Sequence, residues 1–447
     1  MRLVVFWVGL FCVSTGLAEP ATPVLDATET RIVERVNANA DQLVVDLERH
    51  VNINSGTMNH AGVREVGSDL ARRFESIGFS TEWVELPEST NRAGHLIASY
   101  DGDPDGPKIL AIGHLDTVFE QYDPFNEFSR KGDIARGPGV DDMKSGNLIA
   151  FYALRALAES EVLDRASYRV VFTGDEESPG EPLDVVRADL IEAGQWADFA
   201  LGFEAGAYDR DSQGRITTAY ATTARRSSSD WMVEVTGKQA HSSGIFSDRV
   251  GAGAVFEAAR ILNAFYETVR GEEYLTFNAG SILAGTDIDY DVAQTRGTTF
   301  GKTNVVPSHA IIHGGIRTIS DAQLERARTK MREIIADNLP GTSATITFGE
   351  GYPAMAPTEG NMTLQRMLSD INIDLGGDAM PALDPSRRGA ADISFVASYA
   401  DSLAGLGAYG SGAHSPGEAL DLSSLPIATQ RAALLIYRLQ SADSHSP

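Results

Sequence analysis

Three short apolar runs in this chain each stop on an acid or an imidazole. Residues 108–113 lead to His114, residues 168–174 to Asp175, Glu176 and Glu177, and residues 199–203 to Glu204. Apolar runs of this length read as buried strands. In an open α/β sheet, ligands gather where the strands end. A chain that ends successive strands on such groups therefore has to fold so that they converge. With Glu177 taken from the acidic triplet, Asp142 and His414, each in a glycine-rich turn or loop, join His114 and Glu204 to make a set of five. Carboxylate and imidazole are the donors that hard and borderline divalent ions take, so the set suits a pair of metal ions.

A length of 447 residues exceeds one ordinary core and suits two domains. The hydrophobic share of 43% and charged share of 22% place the chain with globular proteins. Arg2, the apolar run from Leu3 to Val13 and the small-x-small pattern Gly16-Leu17-Ala18 read as a secretory signal peptide over residues 1–18. The run falls short of the about twenty apolar residues of a membrane span. Export is therefore expected, to a periplasm or the medium, with Glu19 as the new N-terminus. The only cysteine, Cys12, lies in that leader. The mature chain then has no disulfide, thiol nucleophile or thiolate ligand. A net charge of −25 repels nucleic acid and anionic membrane surfaces, although most of that charge reads as solvated surface. No nucleic-acid or membrane partner is expected.

Residues 29–51 carry an apolar stripe at helical spacing, and Val63, Val66, Leu70, Phe74 and Ile77 repeat it before Gly78. Strands are predicted at residues 81–86, 95–100 and 108–113, near Tyr168 and near Phe199, with a helix over residues 145–157. This mixture argues for an α/β layer architecture. The polar stretch 209–215 reads as a linker. Beyond it come a strand at 231–235, a helix at 250–269, strands near Thr276 and at 304–317, and a helix at 321–338, in the order of a β-α-β-β-α-β unit. From about Met355 the chain returns to the first domain and closes with an amphipathic helix over 425–439.

The motifs are weak singly. His114 and Asp116 share one side of a strand end, so the carboxylate can orient the imidazole, as metal-binding histidines usually require. A strand-end histidine alone is an ordinary polar residue. The turn 137–146 delivers Asp141 and Asp142 into a helix start, where either could be a simple cap. Asp175, Glu176 and Glu177 repel one another unless cations neutralise them, though a solvated acidic turn would look the same. His241 and His414 both sit in Ala-His-Ser loops. The G-x-G-x-x-G letters at 405–410 come late and precede His414 rather than a helix, which argues against a dinucleotide site. No G-x-S-x-G or H-E-x-x-H occurs, against serine-hydrolase and thermolysin-like readings.

In this order the motifs resemble the dinuclear zinc amidohydrolases that include glutamate carboxypeptidase, aminoacylase and succinyl-diaminopimelate desuccinylase. The resemblance runs from residues 51–56 to the C-terminal helix. It implies a catalytic domain with a mixed sheet flanked by helices (19–215 and 345–447) and an inserted ferredoxin-like lid and dimerisation domain (216–344). It further implies two zinc ions per subunit, one held by His114 and Glu204, the other by Glu177 and His414, with Asp142 bridging. A cis peptide would follow Asp142. Glu176 would be the general base and Asp116 the orienting partner of His114. In a homodimer, His241 would reach the partner's site and stabilise the oxyanion, with Asn304 and Arg317 holding substrate.

The chain departs from this pattern at Gly315, where an aspartate is usual, and at Tyr352, where an arginine is usual. Arg387 and Arg388 stand where glycines are common. Recognition of the substrate's free carboxylate is therefore expected to have moved or changed, with Arg388 as a candidate. The expected activity is hydrolysis of a peptide or N-acyl amide bond beside a free carboxylate. The alternatives are an N-acyl amino acid deacylase or an aminopeptidase, and a metal-dependent, non-catalytic peptide-binding dimer. Glu176 speaks against the last, since a binder needs no general base.

Overall fold

The computed structural model describes residues 25–292 and 294–441. The leader read at residues 1–18, and Glu19, lie outside these residues. Among the described residues no helix is long and apolar enough to cross a membrane.

The first two amphipathic stripes form helices Ala27–Val51 and His60–Glu75. Asp26 caps the first, accepting from the amides of Thr28 and Glu29 while Glu29 reaches back. Ile32, Val36, Leu43 and Leu47 face the core with Val63, Val66, Leu70 and Phe74 of the second helix. These helices cover a six-stranded mixed sheet ordered Ser80–Val84, His95–Tyr100, Ser167–Thr173, Lys108–His114, Phe199–Gly202, Asp401–Leu403. The first two pairings are antiparallel and the last three parallel. In the parallel part, His114 lies opposite Thr173 and Ile112 opposite Gly202. The groups that follow these strands thus come out on one edge, as the strand-end pattern requires.

Helix Lys144–Glu159 packs beneath that edge and is buried along most of its length. Its first turn has a strict steric demand. A Cβ on Gly146 would lie 1.9 Å from the carbonyl oxygen of Phe203, so glycine lets the helix touch the strand that delivers Glu204. Helix Ser424–Leu439 completes the packing.

A second sheet has the order Thr276–Gly285, His309–Arg317, Ser229–Gly237, Thr342–Phe348, all antiparallel. Alternate residues Trp231, Val233 and Val235 face helices Ala254–Thr268 and Asp321–Ala336, giving a separate core with Ile261, Phe265, Ala327 and Met331. This is the β-α-β-β-α-β arrangement expected from the sequence. Three details differ. The polar stretch 209–215 is the turn of a hairpin between Ala207–Arg210 and Ile216–Tyr220, not an open linker. The helix read from residue 250 begins at Ala254, because Gly251 and Gly253 both take φ of +79°. An additional hairpin, Asp287–Asp291 with Arg296–Phe300, lies in the chain between strands Thr276–Gly285 and His309–Arg317.

Candidate metal centre

The strand ending at His114 brings its imidazole to Asp142 from the glycine turn, with Nε2 3.1 Å from Oδ1. The other oxygen of Asp142, Oδ2, lies 3.2 Å from Nε2 of His414, and that nitrogen is 3.0 Å from Glu177 Oε2. Asp142, not Asp141, is therefore the carboxylate that touches both imidazoles. The peptide bond after it is cis. His114, Asp142 and Glu177 each offer a ligand atom within 4.8 Å of the others. Glu204 lines a small cavity with His114, Met143 and Arg225, and its Oε2 receives Arg225 Nη1 at 2.7 Å.

Asp116 sits behind His114, fully buried. Its carboxylate is 3.4 Å from His114 Nδ1, which also meets the Asp116 carbonyl oxygen at 3.1 Å. The same carboxylate accepts the Thr57 hydroxyl at 2.6 Å and the amides of Glu176 and Glu177 at 3.0 and 3.1 Å. One aspartate thus orients an imidazole and fixes the backbone of the acidic pair. Burial opposes its charge, but His114, Thr57 and the Glu177 amide hold its carboxyl below the usual range.

Burial pushes the Glu176 carboxyl well above the usual range, with Glu204, Asp392 and Glu177 adding to it against the pull of His114. Glu177 is also raised, mainly by burial. Hydrogen bonds to Asp142 and Glu177 lift His414 to about 10. For His114, burial is outweighed by Asp116 and Asp142, which hold it well above the histidine range. The acids at this edge favour positive charge beside them, which is why both imidazoles are held above their ordinary range. The donor set passes a further test for a cation: Glu177 Oε1 is buried with no hydrogen-bond partner among the described residues, a costly state for a carboxylate oxygen unless something positive meets it.

Beneath Glu176 lies a network that the sequence did not announce. Arg187, fully buried, pairs with Asp175 at 2.6 Å and Asp392 at 2.8 Å. Its Nη2 donates to the Tyr352 hydroxyl at 2.9 Å, which in turn donates to the Glu176 carbonyl at 3.1 Å. Tyr352, read as a lost arginine, is thus a support for the backbone of Glu176. Arg225 was missed as well; besides Glu204 it donates to the carbonyls of Gly389 and Ala390.

His241 and Asn304 come together on a short two-stranded ribbon, where His241 lies opposite Val305 and Ser242 donates to the Asn304 carbonyl. His241 is exposed, and its Nδ1 is 2.9 Å from the Ser243 hydroxyl. Among the described residues no hydrogen bond or ion pair joins either residue to the acid–imidazole cluster. Arg317 ends its strand with Nη1 3.6 Å from where a Cβ on Gly389 would stand. Arg388, next to that glycine, donates to the Ala205 carbonyl. Two guanidinium groups therefore flank the loop that Arg225 ties to Glu204.

Residues 110–438 match the model of peptidase family M20/M25/M40. The chain belongs to this family. It is similar to Carboxypeptidase G2 of Pseudomonas sp. (strain RS-16), 26% identical over 405 residues that cover 89% of each chain. Its fold is shared with a tripeptidase from Staphylococcus aureus subsp. aureus Mu50, at a TM-score of 0.67 and 17% identity, covering 90% of this chain and 99% of that one. A dinuclear metal-binding peptidase of Bacillus subtilis overlays with a TM-score of 0.60 and 16% identity, over 91% and 99%. The protein is accordingly a metallohydrolase of the peptidase type.

Proposed function

We propose that the protein is an exported exopeptidase that hydrolyses a peptide or N-acyl amide bond beside a free carboxylate. The observation that carries the reading is Glu176, a partly buried acid whose backbone is held by Asp116 and Tyr352 next to the His114–Asp142–Glu177–His414 cluster. In this reading His114, Asp142, Glu177, Glu204 and His414 are the residues that would hold two zinc ions. The chemistry such a bound pair supplies is acidification of water and polarisation of the scissile carbonyl. Glu176 accepts the proton of the attacking water and delivers it to the leaving nitrogen. A carboxyl whose pKa is lifted by burial suits both halves of that transfer. Asp116 keeps the His114 imidazole oriented throughout.

His241 of a partner subunit supplies a donor to the developing oxyanion, in a homodimer built through the domain at 216–344. Asn304, Arg317 and Arg388 receive the substrate, the two guanidinium groups taking its carboxylate. The likeness to Carboxypeptidase G2 along most of both chains supports cleavage next to a terminal carboxylate.

The test is a comparison of dipeptides and N-acyl amino acids with the same compounds amidated at the C-terminus. Blocking the carboxylate is expected to lower kcat/KM at least about 100-fold, since a charged site left unpaired discriminates strongly. Equal turnover of free and amidated substrates would refute the exopeptidase reading. Preference for N-acyl amino acids over dipeptides would mark the deacylase alternative.

A further inference from the structure

Glu418, four residues past His414, is completely buried and takes no part in the chemistry above. Its carboxylate is occupied by main-chain amides from the opposite loop. Oε1 accepts from Asp141 at 2.8 Å and Asp142 at 3.0 Å, and Oε2 accepts from Gly139 at 3.2 Å. Three amides pointing at one spot form an anion cradle, and this chain fills the cradle with its own side chain. The two loops involved are hinged on a single pair of strands. Ile134–Arg136 runs into the glycine turn, Ala419–Asp421 runs out of Glu418, and Ala419 lies opposite Arg136. Packing between the loops is tight: a Cβ on Gly410 would come within 2.1 Å of Asp141 Oδ1.

We propose that Glu418 is a positioning residue that sets Asp142 against His414 and so fixes the spacing of the two metal subsites. The inference rests on the two-metal reading above. A hydrogen bond from each of three amides holds the turn, and without them Asp142 keeps its carboxylate but loses its fixed place between the imidazoles. Groups that orient metal ligands in this way typically change metal affinity about 10–100-fold when removed.

The test uses the full-length protein, stripped of metal and titrated with Co2+, with the visible absorption of the bound ion as readout. Wild type is expected to take two equivalents. E418Q is expected to bind at least one of them about 10–100-fold more weakly, with an altered spectrum. Leu157→Ala is the control for stability alone. Leu157 is fully buried but about 20 Å along helix Lys144–Glu159 from the turn, and this variant should keep wild-type affinity. Wild-type affinity and spectrum in E418Q would overturn the proposal, as would equal weakening in both variants. Should E418Q not fold, E418D retains the charge one methylene short, and unchanged binding there overturns the proposal equally. Absence of Co2+ binding by wild type would instead refute the two-metal reading itself.

Discussion

Glu176→Gln is expected to lower kcat about 100- to 10,000-fold, the usual range for loss of general acid–base catalysis. Glutamine keeps the shape of the side chain and cannot take a proton from water. The backbone of residue 176 stays tied to Asp116 and Tyr352, so the substitution removes the proposed proton carrier without moving its seat. KM and bound metal should therefore remain close to wild type. Steady-state kinetics with metal analysis on the same preparation checks this. A kcat within tenfold of wild type would show that the proton travels by another group.

The second large effect concerns stability. Arg187→Met removes the cation that faces two buried carboxylates, Asp175 and Asp392, and leaves both without it. Breaking a buried pair from one side costs about 3–5 kcal/mol, because the remaining charge has no water to turn to. The loss should appear as a lower urea midpoint for the metal-free protein. Activity should fall too, since the Tyr352 hydroxyl that Arg187 steadies supports the Glu176 carbonyl. Unchanged stability would mean that solvent reaches Asp175 and Asp392, contrary to their burial.

The parts of the fold that were legible in the sequence are those where periodicity and burial coincide. The stripes that became helices Ala27–Val51 and His60–Glu75 have one buried face each, and the runs before His114, Glu176 and Glu204 are buried on both faces. His114, Glu177 and Glu204 were legible because each stands at or just past the end of such a run, and Asp142 and His414 because glycine-rich loops present them. What escaped notice depends on distant contacts. Arg187 sits in a charged stretch that reads as surface, and only its contact with Asp392, 205 residues away, explains its burial. Glu418 reads as a solvated acid, since its amide partners lie 276–279 residues earlier. Tyr352 looked like a missing arginine because a single letter does not show that its hydroxyl links Arg187 to Glu176. The polar stretch 209–215 read as a linker because a hairpin turn and a linker share the same residues.

In the proposed site, five side chains together hold two cations. Metal content of the purified protein, measured by elemental analysis after loading with Zn2+ and removal of free ion, tests that claim most directly. Two tightly held equivalents per chain are predicted, falling to one or fewer in Asp142→Ala, the carboxylate that touches both imidazoles. Retention of no zinc by wild type, or of two equivalents by Asp142→Ala, would contradict it.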